Sequence, residues 1–368
     1  MEKQRIESID VLRGFMMFWI IGAEKIIILL PQLTNNEIIL GLELQFHHVG
    51  WNGLRFYDIL FPSFLFLSGI SYPFSVLSKR GKGVSDWRIC LDALKRMCIL
   101  FLLGAVYNGL LEFSFETMRW ASALARIGLA SFFATCIYLF EKNNKRRIII
   151  CIGILLIYWI LMRCVPAPDY PGADLFSPEG SIACYIDRRF LPGMVLDETY
   201  DPEGLMSTFP AVSTALLGML TGELIKSDKW KEKEQMKVYI LLLIGICLII
   251  LSLIWNLFFP INKKLWSSSF VCCVGGIDII LFAICYFLID ILKIRKWGIP
   301  FSVIGKNSIF AYMLNRTNAI GTLTLYCFCG VLAKYEGISY DIRYAIFYVC
   351  VMWFVLYFLY KKRVYIKV

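Results

Sequence analysis

Both histidines of this 368-residue chain stand side by side, His47 and His48, in the stretch LQFHHVGWNGLRFYDILFPSFLFLSG at 44–69. An imidazole titrates near neutral pH and can take or give a proton. Trp51, Asn52 and Gly53 follow closely and would supply an aromatic wall, an amide donor and a tight turn. Asp58 comes ten residues after His48 and would orient an imidazole if the chain folds back on itself. The set suits a base that activates a nucleophile. It suits a proton-coupled transporter gate equally well.

Other ionisable groups lie within apolar stretches, where each costs a few kcal/mol and needs a reason. Glu24 sits in FWIIGAEKI, Arg126 in ALARIGLASFF, and Lys306 with Asn307 in IGKNSIFAY. Asp10 and Arg13 are one helical turn apart and can pair. Such groups either fix helix packing or do chemistry. Pro62 and Pro73 each remove a backbone donor and can kink the helix that carries Ser63, Ser68, Gly69 and Ser71.

The elements that must position these residues are membrane helices. The chain is 58% hydrophobic and 18% charged, with a mean hydropathy of +0.65. Apolar runs of about 18–25 residues recur from end to end, each long enough to cross about 30 Å of hydrocarbon. The fold class expected is all-α: one transmembrane bundle over 1–368, with no internal repeat of the kind found in many transporters. Ten spans are expected, at 11–31, 57–78, 92–111, 121–140, 148–165, 206–225, 238–258, 267–292, 299–318 and 342–360. Residues 319–335 are apolar enough to span but are expected to be interfacial or re-entrant, because an eleventh crossing would put KKRVYIK outside. Glu24 would lie roughly 20 Å along the first span.

The net charge of +10 comes largely from short basic connections, as in a multi-pass protein and not a nucleic-acid binder. Placing them on one side puts both termini in the cytoplasm and the protein in the plasma (inner) membrane. The start, MEKQRIESIDVLRG, has no A-x-A-like cleavage site and reads as a mature cytoplasmic end. Most of the thirteen cysteines lie in apolar runs, and no pattern suggests a metal. Residues 166–205 form the largest outer segment. It carries eight acids, including Asp187, Asp201 and Glu203, against Arg188 and Arg189, which would suit a hydrophilic, cationic acceptor.

Six motifs, in order, resemble a known family: SIDVLRG (8–14), HVGWNGLRFYDILFPSFLFLSG (48–69), LARIG (124–128), CYIDRRFL with TYDPEGLMST (184–208), PINKKLWSSSF (260–270) and KNSIFAY (306–312). Together they resemble the transmembrane acyltransferases typified by heparan-α-glucosaminide N-acetyltransferase. The resemblance implies that acetyl-CoA enters from the cytoplasm and an amino sugar is acetylated on the far side. The family histidine matches His48, the one with H-x-x-W-N-G spacing. Residues near the cosubstrate match Arg5, Arg13, and Ser267 beside Trp266. Glu24 stands where the family has Asn, and Asn315 where it has a late His. The family's large lumenal N-terminal part is expected to be absent, in agreement with ten spans.

The expected mechanism is acyl transfer from a thioester, with His48 as base. Asn52 or a backbone amide near Gly53 would stabilise the oxyanion, and Glu24 or Asp58 would orient the imidazole. Arg5, Arg13 and Lys306 would hold the cosubstrate phosphates, with Asn307 and Asn315 beside them. Asp187, Asp201 and Glu203 are the acceptor candidates. A covalent acetyl-His48 intermediate competes with direct transfer. The rival functions are a proton-coupled transporter or flippase and a scaffold that only binds the cosubstrate. A homodimer is one arrangement the sequence allows.

Overall fold

A computed structural model of the chain describes residues 6–34, 36–227 and 233–366. In chain order the helices are α1 (Glu7–Phe18), a π-helical turn (Trp19–Ala23), α2 (Glu24–Leu29), α3 (Glu37–Leu44), α4 (Phe56–Arg80), α5 (Asp86–Tyr107), α6 (Ala123–Phe140), α7 (Asn144–Cys164), α8 (Ile182–Phe190), α9 (Leu205–Lys226), α10 (Glu234–Trp255), α11 (Ser268–Cys285), α12 (Ile299–Gly305), α13 (Ser308–Arg316), α14 (Ala319–Leu332) and α15 (Gly337–Lys361). Among the described residues there is no β-strand, only isolated bridges such as Arg119 with Gly193. Several helices begin where the sequence supplies a cap. Ser85, Ser122 and Asn143 accept from the backbone N–H of Arg88, Ala125 and Lys145 at the starts of α5, α6 and α7.

Among the described residues, eight helices are long and apolar enough to cross a membrane: Glu7–Leu33, Phe56–Arg80, Ala123–Phe140, Asn144–Cys164, Leu205–Lys226, Glu234–Trp255, Ser268–Ile291 and Gly337–Lys361. They make the chain a multi-pass helical membrane protein, and they coincide with eight of the ten expected spans. The other two differ for identifiable reasons. α5 is long enough, but Asp86, Arg88, Asp92, Lys95 and Arg96 place charge along its first half. Residues 299–318 form two short helices, α12 and α13, because the chain leaves the helical conformation at Asn307 (φ −126°, ψ 33°). α14, inside the ambiguous 319–335 segment, has 14 residues, or about 21 Å of helix, against a core of about 30 Å.

By internal contacts the chain divides into two compact units. The first comprises Met1–Gly50, Arg55–Leu60 and Cys285–Val368. Within it α1 lies against α12 at backbone distance. Gly14 faces the Phe301 carbonyl and Gly305 faces the Asp10 carbonyl, so a side chain at either would collide with the opposite main chain. The second unit comprises Trp51–Leu54 and Phe61–Ile284. In it α9 is well enclosed, with Ala211, Ala215 and Leu216 fully buried against neighbours that include α6, α7 and α8.

The acidic segment 166–205 is a folded part of the second unit. Arg188 ties it together, pairing with Asp169 and donating to the carbonyls of Pro178, Glu179 and Thr199.

Candidate functional site

The geometry at the histidine pair is local. The chain leaves α3, makes a short loop and enters α4, and the loop is pinned across its base. Tyr57 N–H donates to the Gln45 carbonyl at 3.0 Å, and Phe56 N–H to the Gln45 side chain at 3.2 Å. This fold-back brings Asp58, in the first turn of α4, against His48. Nδ1 of His48 lies 2.6 Å from Asp58 Oδ1. Oδ2 of the same carboxylate accepts from Val49 and Arg55 N–H at 3.3 and 3.2 Å. Arg55 reaches back to the His48 carbonyl at 3.1 Å, and the Tyr57 ring packs 4.9 Å from the imidazole.

The Asp58 side chain is only 3% exposed, whereas that of His48 is 52% exposed. The acid is therefore shielded while the imidazole stays reachable. With Nδ1–H donated to Asp58, the basic lone pair lies on Nε2.

His47 is chemically separate. Its Nε2 lies 2.5 Å from Glu43 Oε1, one helical turn back, at an exposed position. Glu43 was not singled out in the sequence, although an i, i+4 Glu–His pair at the end of a helix is a readable signal.

Of the two carboxylates expected to orient the imidazole, Asp58 makes the hydrogen bond. Glu24 follows the π-helical turn, where Gly22 adopts φ +128°. Its Oε2 is buried without a hydrogen-bond partner. Asn315 is close to the same turn: its Nδ2 donates to the Ile20 carbonyl at 3.4 Å, and its Oδ1 accepts from Tyr348 Oη at 2.8 Å. Tyr348 carried no sequence signal, because nothing in an apolar helix marks one tyrosine among several.

The remaining cosubstrate candidates of the first unit are placed as follows. Arg13 pairs with Asp10 at 3.8 Å, as their spacing suggested. Lys306 Nζ lies 4.5 Å above the Tyr360 ring. Asn307 holds the chain end, donating to the Val364 carbonyl at 3.1 Å and accepting from Ile366 N–H at 2.9 Å. Arg5 lies outside the described residues.

In the second unit, Asn52 Oδ1 accepts from Asn262 Nδ2 at 3.1 Å. Asn262 is fully buried and also accepts from Leu265 N–H. Gly53 N–H, the backbone donor considered for an oxyanion, is engaged by the Ile261 carbonyl at 2.8 Å. Trp51 Nε1 donates to the Phe176 carbonyl at 2.6 Å, and its ring meets Tyr200 edge-on at 4.9 Å. Ser267 and Trp266 are both fully buried. The Ser267 hydroxyl accepts from Asn262 N–H at 3.0 Å and Phe270 N–H at 3.3 Å, and Trp266 Nε1 donates to Thr214 Oγ1 at 3.1 Å. Both residues are thus built into the packing of this unit.

The three acids expected to attract an acceptor are each committed to partners within the fold. Arg119 pairs with both Asp201 and Glu203. Burial opposes the Arg119 charge, but those two acids outweigh it and raise the guanidinium pKa. Asp187 is 2% exposed and accepts from Leu205 N–H at 2.8 Å. Burial pushes its carboxyl up to about 7, against the opposing pull of the Leu205 N–H and the Arg126 charge. Arg126 is itself buried, donates to the Gly204 carbonyl and Ser207, and lies 4.8 Å over Trp266. A count of charges within 166–205 overstated the negative surface, because Arg119 and Arg126 lie outside that stretch.

The chain is similar to human heparan-α-glucosaminide N-acetyltransferase, 27% identical over 325 residues, with 74% of this chain and 49% of the relative covered. The mouse protein of the same name gives the same figures. The chain therefore spans about half the length of the curated relatives it matches. No family model matches it.

Proposed function

We propose that the chain is a membrane acyltransferase that moves an acetyl group from acetyl-CoA to the amine of an amino sugar, with His48 as general base. The observation that carries this reading is the hydrogen bond of His48 Nδ1 to the buried Asp58, which would fix the tautomer with the basic lone pair on Nε2. Similarity to the named acetyltransferases supports acyl transfer as the reaction class.

In this mechanism the acceptor amine attacks the thioester carbonyl carbon as Nε2 takes a proton from nitrogen. Asp58 stabilises the imidazolium that forms. The tetrahedral intermediate collapses by breaking the carbon–sulfur bond, and His48 returns the proton to the departing thiolate. The products are the amide and free CoA thiol, with His48 restored. Arg13, freed from Asp10, would meet a cosubstrate phosphate. The basic connections favour a cytoplasmic side for that end, hence a plasma-membrane protein with both termini inside and the acceptor outside.

The test is thiol release by the purified protein supplied with acetyl-CoA and D-glucosamine. Turnover that needs both substrates and disappears in His48→Ala supports the reading. Absence of thiol release with any amino sugar, together with substrate-dependent proton flux in vesicles, replaces it with a transporter.

A further inference from the structure

α15 is long and apolar enough to cross a membrane, and the chain at its end carries three consecutive cations, Lys361, Lys362 and Arg363. All three are exposed, and none is in an ion pair among the described residues. A basic run at the end of a span lies at the depth of lipid headgroups, where each cation is drawn to anionic lipid.

The structure makes this run a formed turn and not a fraying end. Arg363 N–H donates to the Tyr360 carbonyl at 3.0 Å and Val364 N–H to the Leu359 carbonyl at 2.9 Å. This paired closure usually has glycine at its left-handed position. Here that position is Arg363, with φ +56°. The chain then returns to Asn307, whose side chain donates to the Val364 carbonyl and accepts from Ile366 N–H. Lys306 lies 4.5 Å over the Tyr360 ring and 6.0 Å over that of Tyr365. An arginine where glycine is the easier choice, on a turn held from two sides, points to a use for its side chain.

The turn continues an apolar face. Lys362 Nζ lies 5.9 Å over the Phe358 ring. Phe354 is one helical turn further into the span, on the same face and about 6 Å along the axis. Phe358 and Phe354 are 61% and 64% exposed, so this face of α15 is open to lipid. One molecule can therefore lay an acyl chain on Phe354 and Phe358 and meet Lys362 with a phosphate, with Lys361 and Arg363 on either side.

We infer that the turn 361–363 and the Phe354–Phe358 face form a site for an anionic phospholipid. The phosphate belongs to a lipid and not to a soluble cosubstrate, because the Lys362 ammonium stands over a ring on the lipid-facing side of the span. The site is independent of the acyltransferase reading.

The experiment titrates the full-length protein in dodecyl maltoside with phosphatidylglycerol and with phosphatidylcholine, each with the same fluorescent acyl chain, and reads binding by anisotropy. Phosphatidylglycerol is expected to bind about tenfold tighter or more. Lys362→Gln with Arg363→Gln is expected to weaken phosphatidylglycerol about tenfold or more, at about fivefold for each cation, and to leave phosphatidylcholine within about twofold. Phe358→Ala is expected to weaken both lipids. Lys142→Gln with Lys145→Gln removes two exposed cations at the start of α7 and should leave both affinities unchanged. The substituted side chains are exposed, and gel filtration checks that each variant folds.

Equal binding of the two lipids by the wild type overturns the site. So does unchanged affinity in the variant at 362 and 363 or in Phe358→Ala. An equal loss in the two double variants also overturns it, as a general attraction to basic connections. Displacement of bound phosphatidylglycerol by free CoA overturns it too, and gives the turn to a phosphate of the cosubstrate.

Discussion

His48 Nδ1 and Asp58 Oδ1 lie 2.6 Å apart, with the acid shielded and the imidazole half exposed. Asp58→Asn keeps an oxygen for the Val49 and Arg55 amides but cannot stabilise an imidazolium or hold the same tautomer. We expect kcat to fall on the order of 10²–10⁴-fold, with KM for both substrates within about threefold. His48→Ala should lose turnover while keeping acetyl-CoA affinity, which also separates an enzyme from a scaffold. Steady-state kinetics and equilibrium binding on the same preparations check both.

His47 pairs with Glu43 and not with Asp58, so His47→Ala should leave kcat/KM within about twofold of wild type. A loss comparable to that of His48→Ala would mean that the spacing argument chose the wrong imidazole.

The choice of His48 rested on the H-x-x-W-N-G spacing, and Asp58 was visible as a partner because the site is local. His48, Asp58 and the turn between them occupy eleven consecutive residues, so the sequence could offer Asp58, beside Glu24, as the acid that orients the base. The partners of Asn52 and Asn315 were not legible in the same way. Asn262 is 210 residues from Asn52, and Tyr348 is 33 residues from Asn315 on another helix. Hydropathy found the long helices because burial in lipid demands about 20 apolar residues in a row. It ran past the break at Asn307, because a residue that leaves helical geometry need not lower the mean hydropathy of its neighbours. The partners of the acidic loop were hidden for a related reason: its charge lies along the chain, whereas Arg119 meets Asp201 and Glu203 from more than 80 residues away.

Arg119 joins Asp201 and Glu203 with side chains that are 17%, 0% and 15% exposed. Removing the cation leaves two acids facing each other in a poorly solvated place. Arg119→Ala should therefore destabilise the protein by about 3 kcal/mol or more. The double variant Arg119→Ala with Asp201→Asn should recover part of that loss, giving a coupling energy above about 1 kcal/mol. Thermal unfolding of the three variants in detergent supplies the comparison. Strict additivity would show that the pair contributes nothing to stability.

Gly22 holds φ +128° in the turn before Glu24. Gly22→Ala should cost about 1–3 kcal/mol, because an L-residue is strained there. It should also depress turnover at temperatures where the variant is still folded, since the turn carries Trp19, which packs on Phe46 and Phe56 at the two ends of the loop that bears His48. Unchanged melting with unchanged activity would mean that the helix absorbs the substitution by reverting to regular α geometry.

Asp187 supplies a pH signature. Its carboxyl is raised from its ordinary 3.8 to about 7, with burial as the leading cause. Between those values the folded chain holds a proton that the unfolded chain has released, so ∂ΔG of unfolding with pH is negative. This contribution to stability is complete below about 4 and is lost as pH rises through about 7. Asp187→Asn keeps an oxygen to accept from Leu205 N–H and has no proton to lose. The variant should therefore melt with a flatter pH dependence than wild type between pH 4 and 8, and should be the more stable of the two at pH 8. Melting curves of both proteins across that range decide it: parallel slopes would show that Asp187 is ionised in the folded state throughout, stabilised by Arg126 more strongly than burial disfavours it.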